Sequence, residues 1–198
     1  MKFVGAIIDR PHSATLKYND IFATISSEKY EMGDVYGITK RKQNRLPEYD
    51  YSTPNAYFIT ICTGNKRNLF WKDVGAIIDC PEHVPLTNLG RIVQKSIEDI
   101  SKHYPMISVD HYVIMPNHIH LLLQINTDVN GRSMIAPTIS TVVRLMKGTV
   151  SKQAGFSVWQ KGFYDHVIRN DNDYREIWNY IEGNPGKWTE DKLYVSPR

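Results

Sequence analysis

The pattern of apolar and polar residues divides the chain into seven segments. Ala56 to Thr63 is strand-like, a short run of aromatic and β-branched residues. From Thr87 onward, Leu89, Ile92, Val93, Ile97 and Ile100 recur at three and four residues, which predicts an amphipathic helix. Thr87 or Asn88 is available as its N-cap, and Pro105 closes it. Ile107 to Met115 and His118 to Ile125 read as two strands joined by a turn at Pro116 and Asn117, a β-hairpin.

Residues 126–137, with Asn130-Gly131 and Pro137, read as a loop. A helical pattern follows in Val142, Val143, Leu145, Met146 and Val150, weakened slightly by Gly148. Trp159 to Ile168 reads as extended. Asn170 to Glu182 reads as a last helix capped by Asn170 or Asp171, with Pro185 just past its end. The order β-α-β-β-α-β-α predicts an α+β fold: a ferredoxin-like split βαβ antiparallel sheet with two helices on one face, plus a C-terminal helix. Residues 1 to about 45 lack sustained periodicity, and 1–39 read as an extension before a domain spanning 40–198. The segment Val4 to Asp9 recurs word for word as Val74 to Asp79, and two copies do not make a solenoid.

The chain has 198 residues, 41% of them hydrophobic and 23% charged, which is ordinary for a folded globular protein. No apolar run approaches the roughly 20 residues of a membrane span. The apolar start of the chain is broken by Asp9 and Arg10, too early for a secretory signal, so a cytoplasmic location is expected. Cys62 and Cys80 are not spaced as a zinc or redox motif. The net charge of +3 favours nucleic acid only weakly, but its distribution says more. Lys40, Arg41, Lys42, Arg45, Lys66, Arg67 and Lys72 face only Glu48 and Asp50 over residues 37–72, and residues 138–163 carry four bases and no acid. Such stretches suit a phosphate backbone or a solvated basic face.

On the second hairpin strand, alternation projects His118 and His120 to one side, where two imidazoles can grip one metal ion. Alternatively, one packs in the core and the other hydrogen-bonds a neighbour. On the last helix, Tyr180 and Asn184 are four residues apart and share a face. They could bring a phenol and an amide oxygen to a site, or serve as packing and a C-cap.

Three stretches, in order and spacing, resemble the REP-associated tyrosine transposases of the single-tyrosine HUH family. They are Met115-Pro-Asn-His-Ile-His120, Val158-Trp-Gln-Lys-Gly-Phe-Tyr-Asp-His-Val-Ile-Arg169 and Tyr180-Ile-Glu-Gly-Asn-Pro185. Asn44 to Thr63 is similar to the opening of such domains, so the resemblance spans about residues 40–190. It implies a metal-dependent transposase that nicks and rejoins single-stranded or hairpin DNA through a 5′-phosphotyrosine. Tyr180 would be the nucleophile, His118 and His120 the metal pair for Mg²⁺ or Mn²⁺, and Asn184 a third ligand. An asparagine stands here where shorter insertion-sequence relatives carry glutamine. Relatives include monomers and homodimers.

Other residues have two readings each. His166 could orient a ligand or be a satisfied buried histidine, and Arg169 lies in the same matching motif. Arg144, Lys147 and Lys152 could follow a phosphate backbone or face water, while Trp159 and Tyr164 could stack on bases or pack in the core. Two rivals differ in function: a DNA-binding module of this fold that no longer cleaves, and a phosphodiesterase using the histidines to activate water.

Overall fold

The computed structural model describes residues 49–72, 84–126 and 137–196. The N-terminal extension, both copies of the repeated segment and Cys80 lie outside them. Four strands, β1 (Ala56–Cys62), β2 (Ile107–Ile114), β3 (His118–Ile125) and β4 (Tyr164–Val167), form one antiparallel sheet in the order β2-β3-β1-β4. This is the expected ferredoxin-like order, with β1 and β2 separated by β3.

Paired residues in an antiparallel ladder share a face. Tyr57, Ile59 and Ile61 therefore lie beside Leu123, Leu121 and Ile119 on one face, all fully buried. Phe58, Thr60 and Cys62 lie beside Leu122, His120 and His118 on the other. Each fully buried apolar side chain is worth about 1.5–3 kcal/mol. A bulge in β2 between Val109 and His111 realigns that strand, putting Val113 opposite His120.

Helices α1 (Asn88–Glu98), α2 (Ile100–His103) and α3 (Ile139–Ala154) belong to the first face, where α1 and α3 pack together and Tyr112 reaches Glu98 across 3.5 Å. The expected first helix is thus two pieces, broken at Asp99. The Thr87 side chain accepts the Gly90 N–H and donates to the Leu69 carbonyl, tying the start of α1 to the preceding loop. Leu145 is exposed although it fits the apolar pattern of α3. Helix α4 (Asp171–Gly183) lies on the opposite face against β2 and β3. Its start is capped by Asn170 accepting the Asp173 N–H, with Asp171 and Asp173 in the first turn complementing the helix dipole.

The last strand is shorter than expected. Trp159 forms only an isolated bridge to Thr63, and Gly162 at φ 76° turns the chain before β4 begins. Among the described residues, no helix is long and apolar enough to cross a membrane.

Candidate metal and nucleophile site

The hairpin and α4 meet over the second face of the sheet. His118 and His120, both fully buried, present their Nε2 atoms to each other at 3.0 Å. Phe58 stacks on His120 with ring centroids 5.1 Å apart, which fixes the plane of that imidazole.

The outer nitrogens are held by neighbours. The Asn117 amide nitrogen donates to the Leu193 carbonyl at 2.7 Å and the Lys66 carbonyl at 3.4 Å, so its oxygen must face His118. That oxygen accepts from His118 Nδ1 at 2.8 Å. His118 Nδ1 therefore carries the proton and Nε2 a lone pair. His120 Nδ1 bonds the Thr60 hydroxyl at 2.8 Å, and the Tyr180 hydroxyl lies within hydrogen-bond reach of His120 Nε2, at 3.2 Å. Burial pushes the His118 imidazole down to about 3, with nearby Lys66 adding to it. Burial, then His118, lowers His120 well below its ordinary value. Both rings are held neutral, the state that binds metal.

The donor set can hold a divalent metal ion. At ligand distances of about 2.1 Å, adjacent octahedral ligands are about 3 Å apart and opposite ones about 4.2 Å. The 3.0 Å between the two Nε2 atoms matches the shorter of these. Asp191, buried in the segment after α4, brings Oδ2 to 3.9 Å from His118 Nε2, so two histidines and a carboxylate converge. Asn184 is fully buried, and neither polar atom of its side chain has a hydrogen-bond partner among the described residues. Leaving a buried amide so costs about 1–3 kcal/mol, which a ligand interaction would offset.

Tyr180 is buried on the face of α4 that meets the sheet, edge-on to Phe58 at 5.9 Å and 5.2 Å from the His120 ring. Asn184 follows one turn later, and its backbone N–H caps the helix on the Ile181 carbonyl.

The remaining candidates lie elsewhere. His166 sits on the same sheet face, opposite Phe58, but its Nε2 bonds the Asp173 carboxylate at 2.9 and 3.1 Å. The Arg169 N–H donates to that carboxylate at 3.0 Å, so His166 and Asp173 brace the joint between β4 and α4. Lys147 gives its ammonium to the Gln160 and Gly162 carbonyls, at 2.8 Å each, and burial pulls its pKa down. Arg144 and Lys152 are exposed. Trp159 is buried 5.4 Å from Phe70, which is core packing, and Tyr164 is half-buried with its phenol pushed up by burial. His111 stacks on Trp178 at 4.3 Å and meets Glu182 at 2.9 Å on the outer part of α4.

Sequence reasoning missed three members. Asn117 read as a turn residue within the Met115–His120 stretch with no role of its own, Thr60 read as a strand residue, and Asp191 was not singled out. Thr60 and Asp191 are recruited by contacts distant in sequence, and Asn117, though beside His118, is oriented by the distant Lys66 and Leu193 carbonyls.

Residues 56–184 match the family described as Transposase IS200 like. The chain is 36% identical over 178 residues to an uncharacterized protein of Haemophilus influenzae, an alignment covering 80% of this chain and 96% of that protein. It is 26% identical over 103 residues to a REP-associated tyrosine transposase of Escherichia coli, covering 52% of this chain and 58% of that protein. A solved REP-associated tyrosine transposase bound to a REP hairpin aligns with a TM-score of 0.50 at 21% identity, over 69% of this chain and 70% of that one. At that identity the likeness speaks to the fold alone.

Proposed function

Because the chain belongs to the IS200-like transposase family, we propose that it cuts and rejoins single-stranded, hairpin-forming DNA through a covalent link between Tyr180 and a 5′-phosphate. The observation that carries this reading is the Tyr180 hydroxyl 3.2 Å from His120, itself one of two buried, neutral imidazoles whose Nε2 atoms converge at 3.0 Å. His118 and His120 would hold Mg²⁺ or Mn²⁺, with the buried Asn184 amide as a further oxygen donor. When bound, such an ion polarises a non-bridging oxygen of the scissile phosphate and offsets charge building on phosphorus.

The chain's own residues do the rest. Tyr180 Oη attacks phosphorus and gives up its proton as the new P–O bond forms, while the bond to the 3′-oxygen breaks and that oxygen takes up a proton. The product is a 5′-phosphotyrosine and a free 3′-hydroxyl. Attack by that hydroxyl, or by one on another strand, reverses the step and rejoins DNA without external energy. Asn117 keeps His118 in the tautomer that leaves Nε2 available, Thr60 holds His120 Nδ1, and Phe58 fixes the His120 plane.

The DNA substrate follows from family membership, supported by the relative described as bound to a REP hairpin. Exposed Lys66 and Arg67, in the turn just after Cys62, lie at the end of β1 that pairs with His118 and suit a backbone phosphate. Exposed Arg144, Lys152 and Arg169 are further candidates for phosphate contact. We assign the catalytic unit to residues 40–198 and treat 1–39 as an extension.

The test is incubation of full-length protein with end-labelled single-stranded hairpin DNA and Mn²⁺, followed by denaturing electrophoresis. Wild type is expected to form a denaturant-resistant adduct and Tyr180→Phe none. Cleavage by both proteins would replace this reading with metal-activated water. Binding without cleavage by either would replace it with a DNA-binding module.

A further inference from the structure

We propose that Asp191 is the anionic ligand of the cation site, completing it from the segment that follows α4; this rests on reading His118 and His120 as metal ligands. After Asn184 the chain makes a 3₁₀ turn, Pro185–Glu190, and folds back beside the histidine pair. Trp188 is buried in that turn, 6.0 Å from the His118 ring and 6.5 Å from Trp71, and Tyr194 packs on it at 5.1 Å. The segment is therefore clamped on both sides of Asp191.

Asp191 is only 5% exposed. Its Oδ1 accepts the Leu193 N–H at 2.6 Å, which aims Oδ2 at His118 Nε2, 3.9 Å away. That approach is not an ion pair, because Asn117 holds the His118 proton on Nδ1. A carboxylate oxygen and an imidazole lone pair thus face each other at 3.9 Å. Both are atoms of the kind that ligate a cation. The separation lies within the range of about 3 to 4.2 Å between ligands of one octahedral ion. Among the described residues, His118, His120 and Asp191 are the one group of three such side chains whose ligand atoms lie within 4.8 Å of one another.

Charge points the same way. Two imidazoles and the Asn184 amide are all neutral, whereas Mg²⁺ and Mn²⁺ favour anionic oxygen. Asp191 brings that charge from the same short stretch whose Leu193 carbonyl anchors Asn117. One segment therefore both supplies a ligand and sets the tautomer of another.

The experiment is Mn²⁺ titration of the DNA-free full-length protein, read by calorimetry and by the paramagnetic resonance of bound Mn²⁺. Wild type, D191N and H118Q are compared. D191N is expected to bind Mn²⁺ at least about tenfold more weakly than wild type while keeping the histidine nitrogen couplings of the bound ion. If D191N binds like wild type while H118Q does not, the Asp191 assignment is overturned and the metal reading stands. If wild type takes up no Mn²⁺, both fall. Should D191N fail to fold, wild type carrying ¹³C-carboxyl aspartate decides. A strong carboxylate ¹³C coupling to bound Mn²⁺ supports the assignment, and its absence overturns it.

Discussion

The Tyr180 hydroxyl lies 3.2 Å from the same His120 nitrogen that a metal ion would use. Nucleophile and cation therefore compete for that nitrogen, and filling the cation site would free the phenol to turn toward a phosphate. Tyr180→Phe removes the competitor along with the nucleophile. It is expected to bind Mn²⁺ at least as tightly as wild type while nicking falls by more than about a thousandfold. Calorimetry beside a cleavage assay checks this; a loss of metal affinity in parallel with activity would contradict it.

Asn117 is the second pressure point. Its side chain joins three partners, the His118 ring and the Leu193 and Lys66 carbonyls. Asn117→Ala leaves His118 Nδ1 without its acceptor and frees the tautomer. Metal affinity is expected to fall about 10–100-fold. The orphaned buried groups should cost about 1–3 kcal/mol in denaturant unfolding. Unchanged affinity would mean the imidazole is oriented by something else.

The two histidines also make stability depend on pH. In the folded chain burial holds His118 near 3 and His120 well below its ordinary value, against 6.5 for a free imidazole. Between those limits the unfolded chain binds more protons, so stability falls as pH drops from 6.5 toward 3 and is insensitive to these groups above 6.5. The loss from the pair is on the order of a few kcal/mol. Urea unfolding of the metal-free protein at pH 7 and pH 5 should show it, and a flat profile would contradict neutral burial.

His166 gives a contrasting expectation. Its bond to Asp173 braces the turn into α4 rather than reaching the histidine pair. His166→Ala should leave Mn²⁺ affinity unchanged and slow nicking by no more than about tenfold, through looser placement of Tyr180. Calorimetric loss of metal binding in this variant would place His166 in the site after all.

Most of the fold was legible because it rests on local periodicity. The alternation around His118 and His120 placed both on one face, and the spacing of Tyr180 and Asn184 placed both on one side of α4. What was not legible depends on contacts between distant segments. Trp159 belongs to the extended pattern but is cut off from β4 by the left-handed turn at Gly162. Leu145 matches a helical stripe but lies at its exposed edge. Asp191 stands among Thr189, Glu190 and Lys192, a stretch that reads as solvated. Only the folding back of Trp188 and Tyr194 buries it beside the histidines.

The most direct test of the central claim is to find the atom that carries the DNA. The wild-type covalent complex would be digested with nuclease and trypsin, and the peptide from Glu176 to Lys187 sequenced by tandem mass spectrometry. The account predicts a nucleotide joined through its 5′-phosphate to Tyr180. A nucleotide on any other residue, or cleaved DNA with no residue modified, would contradict it.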